Sequence, residues 1–195
     1  MLQQWISIQR GESAVLRALK SLPDEYVVLS DLVLPEGRVD LDYVVAGPNG
    51  LFALEAKEGP VDVRCKGHDW FVDRKRIPSP GRLATIKADA LRKSLVSMTY
   101  DGEKKIPAVC AVLVFTHPES TVDVREPAVP AMRLEELAAF IVHYKVAELS
   151  PESRPAVVQH LVSFQSGRKM RRGFFGFRLR RAPKFSPSPA VVGGR

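Results

Sequence analysis

The sequence predicts an α/β domain, and three observations carry that reading. A segment at 11–22 repeats apolar residues with the period of about 3.6 that marks an amphipathic helix, and a second segment starting at Arg82 also reads as a helix. Between and after them lie short runs rich in Val, Leu, Ile and Phe, bounded by Gly, Pro and Asp, which read as strands. One of these, IPAVCAVLVF from Ile106 to Phe115, is almost unbroken in apolar residues, as a strand covered on both faces should be.

In chain order, GESAVLRALKSL (Gly11 to Leu22) sets Val15, Leu16, Leu19 and Leu22 on one helical stripe that Pro23 and Asp24 stop. YVVLSDLVL, Tyr26 to Leu34, reads as a strand ended by Pro35. Two strand arms follow around GPNG, Gly47 to Gly50, whose composition suits a tight reversal. VDVRCKGHDWFVD reads as a second hairpin turning near Gly67. The Arg82 helix is expected to run to about Met98, before Asp101 and Gly102. Ile106 to Phe115 is then the expected central strand, followed by a short strand from Thr121 to Val124 and a helix from Leu134 to Leu149. A last helix, with Ser150 as N-cap and Pro151 in its first position, should end near Phe164. After Gln165 the composition turns basic and aromatic, then Pro/Ser/Gly-rich. The expected organisation is therefore a folded body, 1–165, and a partly flexible basic tail, 166–195.

Composition narrows the function classes. With 195 residues, 45% hydrophobic and 26% charged, the chain suits one soluble domain with a sizeable core. No run of about 18 apolar residues offers a membrane span, and the opening MLQQWISIQR lacks the pattern of a secretory signal, so a cytoplasmic location is expected. Cys65 and Cys110 form no CxxC, and neither they nor His68, His117, His143 and His160 have zinc-site spacing, so reduced structural thiols are expected. The absence of GxSxG, GxGxxG and P-loop motifs argues against a serine hydrolase and against a nucleotide cofactor. The formal charge is +7, yet ten of the 29 Lys and Arg lie after Glu152 with no acid among them. The 19 that remain face 22 acids, so the body is slightly acidic and the basicity belongs to the C-terminal end.

The arms around GPNG carry the chemistry. Symmetric pairing about Pro48 and Asn49 sets Val44 opposite Ala53, Asp42 opposite Glu55 and Asp40 opposite Lys57, and strand alternation then puts these four charged groups on one face. Opposed like charges destabilise a sheet by roughly 0.2–1 kcal/mol, and more where water is excluded, so Asp42 and Glu55 call for a compensating cation. A divalent ion suits the need: Mg²⁺, with Mn²⁺ as a substitute, takes a few carboxylate oxygens, keeps several waters and shares a substrate phosphate. Lys57 would orient or help deprotonate a metal-bound water and stabilise charge on a phosphoryl transition state. A solvated face with a Lys57 salt bridge is the alternative. For Asp40, a salt bridge to Lys57 is expected over a second metal contact.

Asp42, Glu55 and Lys57 resemble the PD-(D/E)xK nuclease signature. The wider run RGESAVLRAL, then LDYVVAGPNGLFALEAKEGPVDV, then Trp70, resembles the nuclease-related (NERD) domain over about Gln9 to Leu95, continuing more weakly through the AVCAVLVF strand. The resemblance implies a restriction-endonuclease-like fold, a mixed sheet with helices on both faces. It implies that Asp42, Glu55 and the backbone carbonyl of Ala56 hold the metal. It also implies that Glu12 is a helix-borne acid reaching the metal or its water, the alternative being an ordinary acid in a helix first turn. The family commonly carries a Gln in the helix after the Trp hairpin; here only Arg82, Leu83 or Lys87 lies nearby.

In the tail, Arg168, Lys169, Arg171, Arg172, Arg178, Arg180 and Arg181 interleave with Phe174, Phe175 and Phe177. That mixture suits phosphate contacts combined with base stacking, although anionic lipid or an acidic protein could also receive it. The expected function is metal-dependent hydrolysis of phosphodiester bonds in nucleic acid, DNA in the first instance. The alternatives are an inactive nucleic-acid-binding module on the same fold, and a membrane-surface or protein adaptor working through the tail.

Overall fold

The protein is described here from a computed structural model that covers residues 14–35, 39–96 and 107–165. A helical segment at 14–19 (α1) leads into β1 (Val27–Leu34), β2 (Val39–Gly47) and β3 (Gly50–Lys57). Three short strands follow: β4 (Asp62–Lys66), β5 (Asp69–Val72) and β6 (Lys75–Ile77). Then come α2 (Gly81–Ser94), β7 (Val109–Phe115), β8 (Thr121–Arg125) and β9 (Ala131–Arg133). A 3-10 turn (Leu134–Glu136), α3 (Leu137–His143) and α4 (Ser153–Val162) complete the described elements.

Pairing around GPNG follows the symmetric register, from Gly47 opposite Gly50 to Tyr43 opposite Leu54. The main sheet runs β1-β2-β3-β7-β9; its first three strands are antiparallel neighbours, and β3, β7 and β9 are parallel. A second sheet, β6-β5-β4-β8, also mixes antiparallel pairs with one parallel pair, β4 with β8. β7 is interior and its residues from Val112 to Phe115 are buried, but the middle of the five strands is β3.

Helices cover both faces of the main sheet. On one face Ala88, Leu91 and Leu95 of the α2 region and Val157 and Leu161 of α4 pack against Leu29, Leu41, Val44, Leu51 and Ala53. On the other, Val15 and Leu19 of α1 and Leu137 and Ile141 of α3 pack against Tyr43, Val45, Phe52, Leu54 and Val112. The second sheet lies against the far end of β7, where Val63, Cys65 and Trp70 enclose Leu113 and Phe115. Two mixed sheets flanked by helices fit the expected restriction-endonuclease-like fold. Among the described residues no helix is long and apolar enough to cross a membrane.

Three helices differ from their expected bounds, and of these α2 ends at Ser94 rather than near Met98. The helix expected over Leu134 to Leu149 ends at His143, and Tyr144 is extended. The hairpin turn intercepts it: the Asn49 side-chain amide donates to the carbonyls of Ile141 and Tyr144, the latter at 2.8 Å. The N–H groups of Val146 and Ala147 then donate to the Asn49 carbonyl, and that of Leu149 to Pro48. α4 begins at Ser153 with Glu152 at its N-cap, later than the expected start at Pro151; Ser150 instead anchors the turn before it, its Oγ accepting from the Ser153 N–H at 3.2 Å and its carbonyl from the Arg154 N–H. Beyond α4, Val33 N–H donates to the Phe164 carbonyl and Gln165 bridges to Leu32, closing the body on β1.

Gly50 makes the turn's approach to this strap possible. It sits at φ +125°, and a Cβ there would come within 2.7 Å of Val146 Cβ and 3.0 Å of the Ala147 carbonyl oxygen. Gly50→Ala should therefore lower unfolding free energy by about 2–3 kcal/mol in urea titration; a change below about 0.5 kcal/mol would show that the turn bears no such constraint.

Candidate active site

Strand alternation slips at Asp42. Val39, Leu41, Val44 and Ala46 all pack on the α2/α4 side of the sheet, whereas Tyr43 and Val45 pack on the other. β1 slips at the matching place: Val27 and Leu29 precede, and Leu32 and Leu34 follow, on that same side. Between the pairs Ser30–Tyr43 and Leu32–Leu41, Asp31 takes φ +57°, a conformation that Asp tolerates better than most residues. This corrects the expected common face. Asp40, flanked by the inward Val39 and Leu41, points away from Glu55, is exposed opposite Val33, and leaves Lys57 to pair with Glu55 instead.

The slip turns Asp42 toward the end of β3. The β2/β3 ladder stops at Tyr43 and Leu54, and beyond it Asp42 Oδ2 accepts the Ala56 N–H at 3.2 Å. Glu55 follows Leu51 and Ala53 along the same row of β3, which places its carboxylate under α2. Its Oε1 accepts from Lys57 Nζ at 2.8 Å. The remaining oxygens, Asp42 Oδ1 and Glu55 Oε2, share one partner, the ammonium of Lys87, which lies 3.3 Å from Asp42 and is in direct contact with Glu55. The cation that the two acids require is therefore supplied within the chain.

Sequence reasoning names Lys87 only as a neighbour of the missing Gln and misses its role. The signal is nonetheless present: Ala84, Ala88 and Leu91 are the buried stripe of α2, and Lys87 falls on it at i+3 from Ala84. A lysine on the apolar stripe of a helix needs a buried acid. Arg82 and Leu83, the other candidates at that place, are exposed.

Exposure grades across the site. The side chains of Glu55 and Lys87 are 6% and 13% accessible, those of Asp42 and Lys57 35% and 36%, so the first two form its floor and the second two its open edge. Burial, reinforced by the Glu55 charge, pushes the Asp42 carboxyl above its ordinary value despite Lys87. Burial also opposes the charge on Glu55, but hydrogen bonds from Lys57 and Lys87 outweigh it and hold the carboxyl below its ordinary value. For Lys87, too, burial is overcome by the hydrogen bond to Glu55 and by both carboxylate charges, which raise it. The pair thus presents one firmly ionised acid and one that gives up its proton less readily.

Hard oxygen donors in a half-open corner are what Mg²⁺ or Mn²⁺ takes. Among the described residues no three of His, Cys, Asp and Glu converge, so the side-chain donors at hand are Asp42 and Glu55, while the Ala56 backbone meets them through its N–H. Two carboxylates with water-filled positions suffice for Mg²⁺, and the chemistry of the set fits. Glu12 and the tail positions Arg168, Lys169, Arg171, Arg172, Phe174, Phe175, Arg178, Arg180 and Arg181 lie outside the described residues. The cysteines are both free, and burial pushes the Cys110 thiol up to about 11, as expected of structural thiols. His143 and His160 meet the carbonyls of Ala139 and Ser94.

A sequence profile described as the nuclease-related domain matches residues 8–116, more than half of the chain. The chain belongs to the nuclease-related domain (NERD) family. Placement in the PD-(D/E)xK superfamily is consistent with the match, which spans Asp42, Glu55, Lys57 and Lys87. No curated protein and no solved structure matches the chain. In this NERD chain, a lysine of α2, Lys87, reaches both acids.

The raised Lys87 value sets a pH dependence. A cation whose folded pKa exceeds its unfolded value of 10.5 contributes stability that is complete below 10.5 and is lost as pH rises through the folded value. Urea unfolding in EDTA between about pH 9 and 12 should show this loss in the wild type, and Lys87→Met should lack that component. Equal pH slopes in both proteins would contradict the pairing.

Proposed function

We propose that the chain is a metal-dependent nuclease that hydrolyses phosphodiester bonds in nucleic acid, with DNA as its substrate. The observation that carries the reading is the convergence of Asp42 and Glu55 on one cation position beside Lys57, in a chain of the nuclease-related family. Asp42, Glu55 and the Ala56 carbonyl would hold Mg²⁺ or Mn²⁺, and Glu12, outside the described residues, would support the site. Such an ion, when bound, supplies Lewis-acid polarisation of the phosphodiester and a water of lowered pKa.

The chain's own groups divide the remaining work. Lys57, at the open edge, brings a positive charge to where the attacking water and the phosphate oxygens meet solvent. Asp42 fixes the Ala56 backbone while keeping one oxygen for a cation. Because the body before Ser153 carries a net charge of −3, a separate positive element is needed to hold a polyanion. The tail from Arg168 to Arg181 provides it, with Phe174 and Phe175 stacking on bases. A second reading, an inactive nucleic-acid-binding module, is favoured by one observation: two ammonium groups already balance the two carboxylates.

Cleavage assays separate the two. Wild-type protein should cut nucleic acid with Mg²⁺ and stop in EDTA, Glu55→Ala should fall to background while remaining folded, and Lys57→Ala should lose about 10²–10⁴ in kcat with little change in KM. Wild-type rates from Glu55→Ala would overturn the nuclease reading. Removing residues 167–195 should weaken DNA binding and flatten its dependence on salt by about 0.9 in log–log slope for each phosphate that the shortened chain no longer neutralises. An unchanged slope would remove the tail from substrate binding.

A further inference from the structure

Every carboxylate oxygen at the site has a partner in the chain. Asp42 Oδ2 is held by the Ala56 N–H and Glu55 Oε1 by Lys57. The two oxygens left, Asp42 Oδ1 and Glu55 Oε2, both converge on Lys87 Nζ. The point they define is where a cation bridging the two acids must sit, and an ammonium group sits there.

Charge points the same way. Among the described residues two carboxylates and two ammonium groups sum to zero, so they offer a divalent ion little net attraction while Lys87 stays. When Lys87 withdraws, the floor carries a negative charge with two free oxygens. The side chain has the means to withdraw, since its flexible four-carbon stem rises from α2 beside Ala84 and Ala88 and 13% of the side chain remains accessible to solvent.

We propose that Lys87 is a built-in counter-ion that occupies the divalent cation's place and must leave for the metal to bind, so that loading the site exchanges one ammonium for one metal ion. The inference rests on the metal-dependent reading above and deepens it. Lys87 here is a positioning residue. It keeps Asp42 and Glu55 together before the metal arrives, and it sets how much free metal the site needs.

The test is metal binding without nucleic acid, by calorimetric titration of Mg²⁺ and Mn²⁺ into the full chain, alongside thermal melts in EDTA and in metal. Lys87→Gln keeps a hydrogen-bonding head but removes the charge; Lys87→Arg keeps the charge. The expected result is binding at least about tenfold tighter in Lys87→Gln than in wild type. Metal should also raise the melting temperature more in Lys87→Gln than in wild type, and Lys87→Arg should behave as wild type. A purely structural lysine would lower the melting temperature in Lys87→Gln equally with and without metal and leave affinity unchanged, which overturns the exchange. Equal or weaker binding by Lys87→Gln, in a protein that still cleaves with Mg²⁺, overturns the exchange and leaves the nuclease reading standing. If neither wild type nor Lys87→Gln takes up metal at millimolar concentration, and no cleavage is seen, both fall together.

Discussion

Two carboxylates brought to one corner of a sheet cannot remain there without a cation, and the site is built around that constraint. The antiparallel ladder of β2 and β3 delivers Asp42 and Glu55 to neighbouring positions, and α2 is docked so that Lys87 arrives between them. The apolar packing of Ala88 and Leu91 fixes the helix at that height. Packing and electrostatics thus specify the same geometry, because a helix shifted by one turn would bury an unpaired lysine and leave Asp42 Oδ1 and Glu55 Oε2 without their shared cation. Breaking such an arrangement by removing one partner is strongly unfavourable, even though the intact set adds little net stability.

Much of the fold is legible in the sequence because its signals are local. The Gly-bounded turn and the apolar run of β7 are each written in a few adjacent residues. What escapes depends on distant partners. The end of α3 is set by Asn49, more than ninety positions earlier in the chain, and nothing near Tyr144 announces it. The most apolar run, β7, suggests the most central strand, whereas sheet order depends on the crossover that places β3 between β2 and β7.

The candidate site is legible to a similar depth. Composition, turn and spacing single out Asp42, Glu55 and Lys57, and the structure brings all three to one corner. Asp40 is misplaced by strict alternation, which fails at a position where both strands slip, a feature tied to the left-handed Asp31. Lys87 is not singled out by the hairpin's spacing, because it lies on another element thirty positions further on. Its place on the buried stripe of α2 is a physical anomaly that a helical projection exposes without reference to any family.

The second sheet shows how chemistry and access are divided. β4, β5 and β6 leave the chain after β3 and return before α2, and they join the rest through Trp70, Val63 and Cys65 against Leu113 and Phe115. Their outer faces are free to lengthen, shorten or change charge while the strands that hold the acids keep their register. Changes on those outer faces therefore leave the alignment of Asp42 and Glu55 intact, since it is the inward residues Val63, Cys65 and Trp70 that join that sheet to β7.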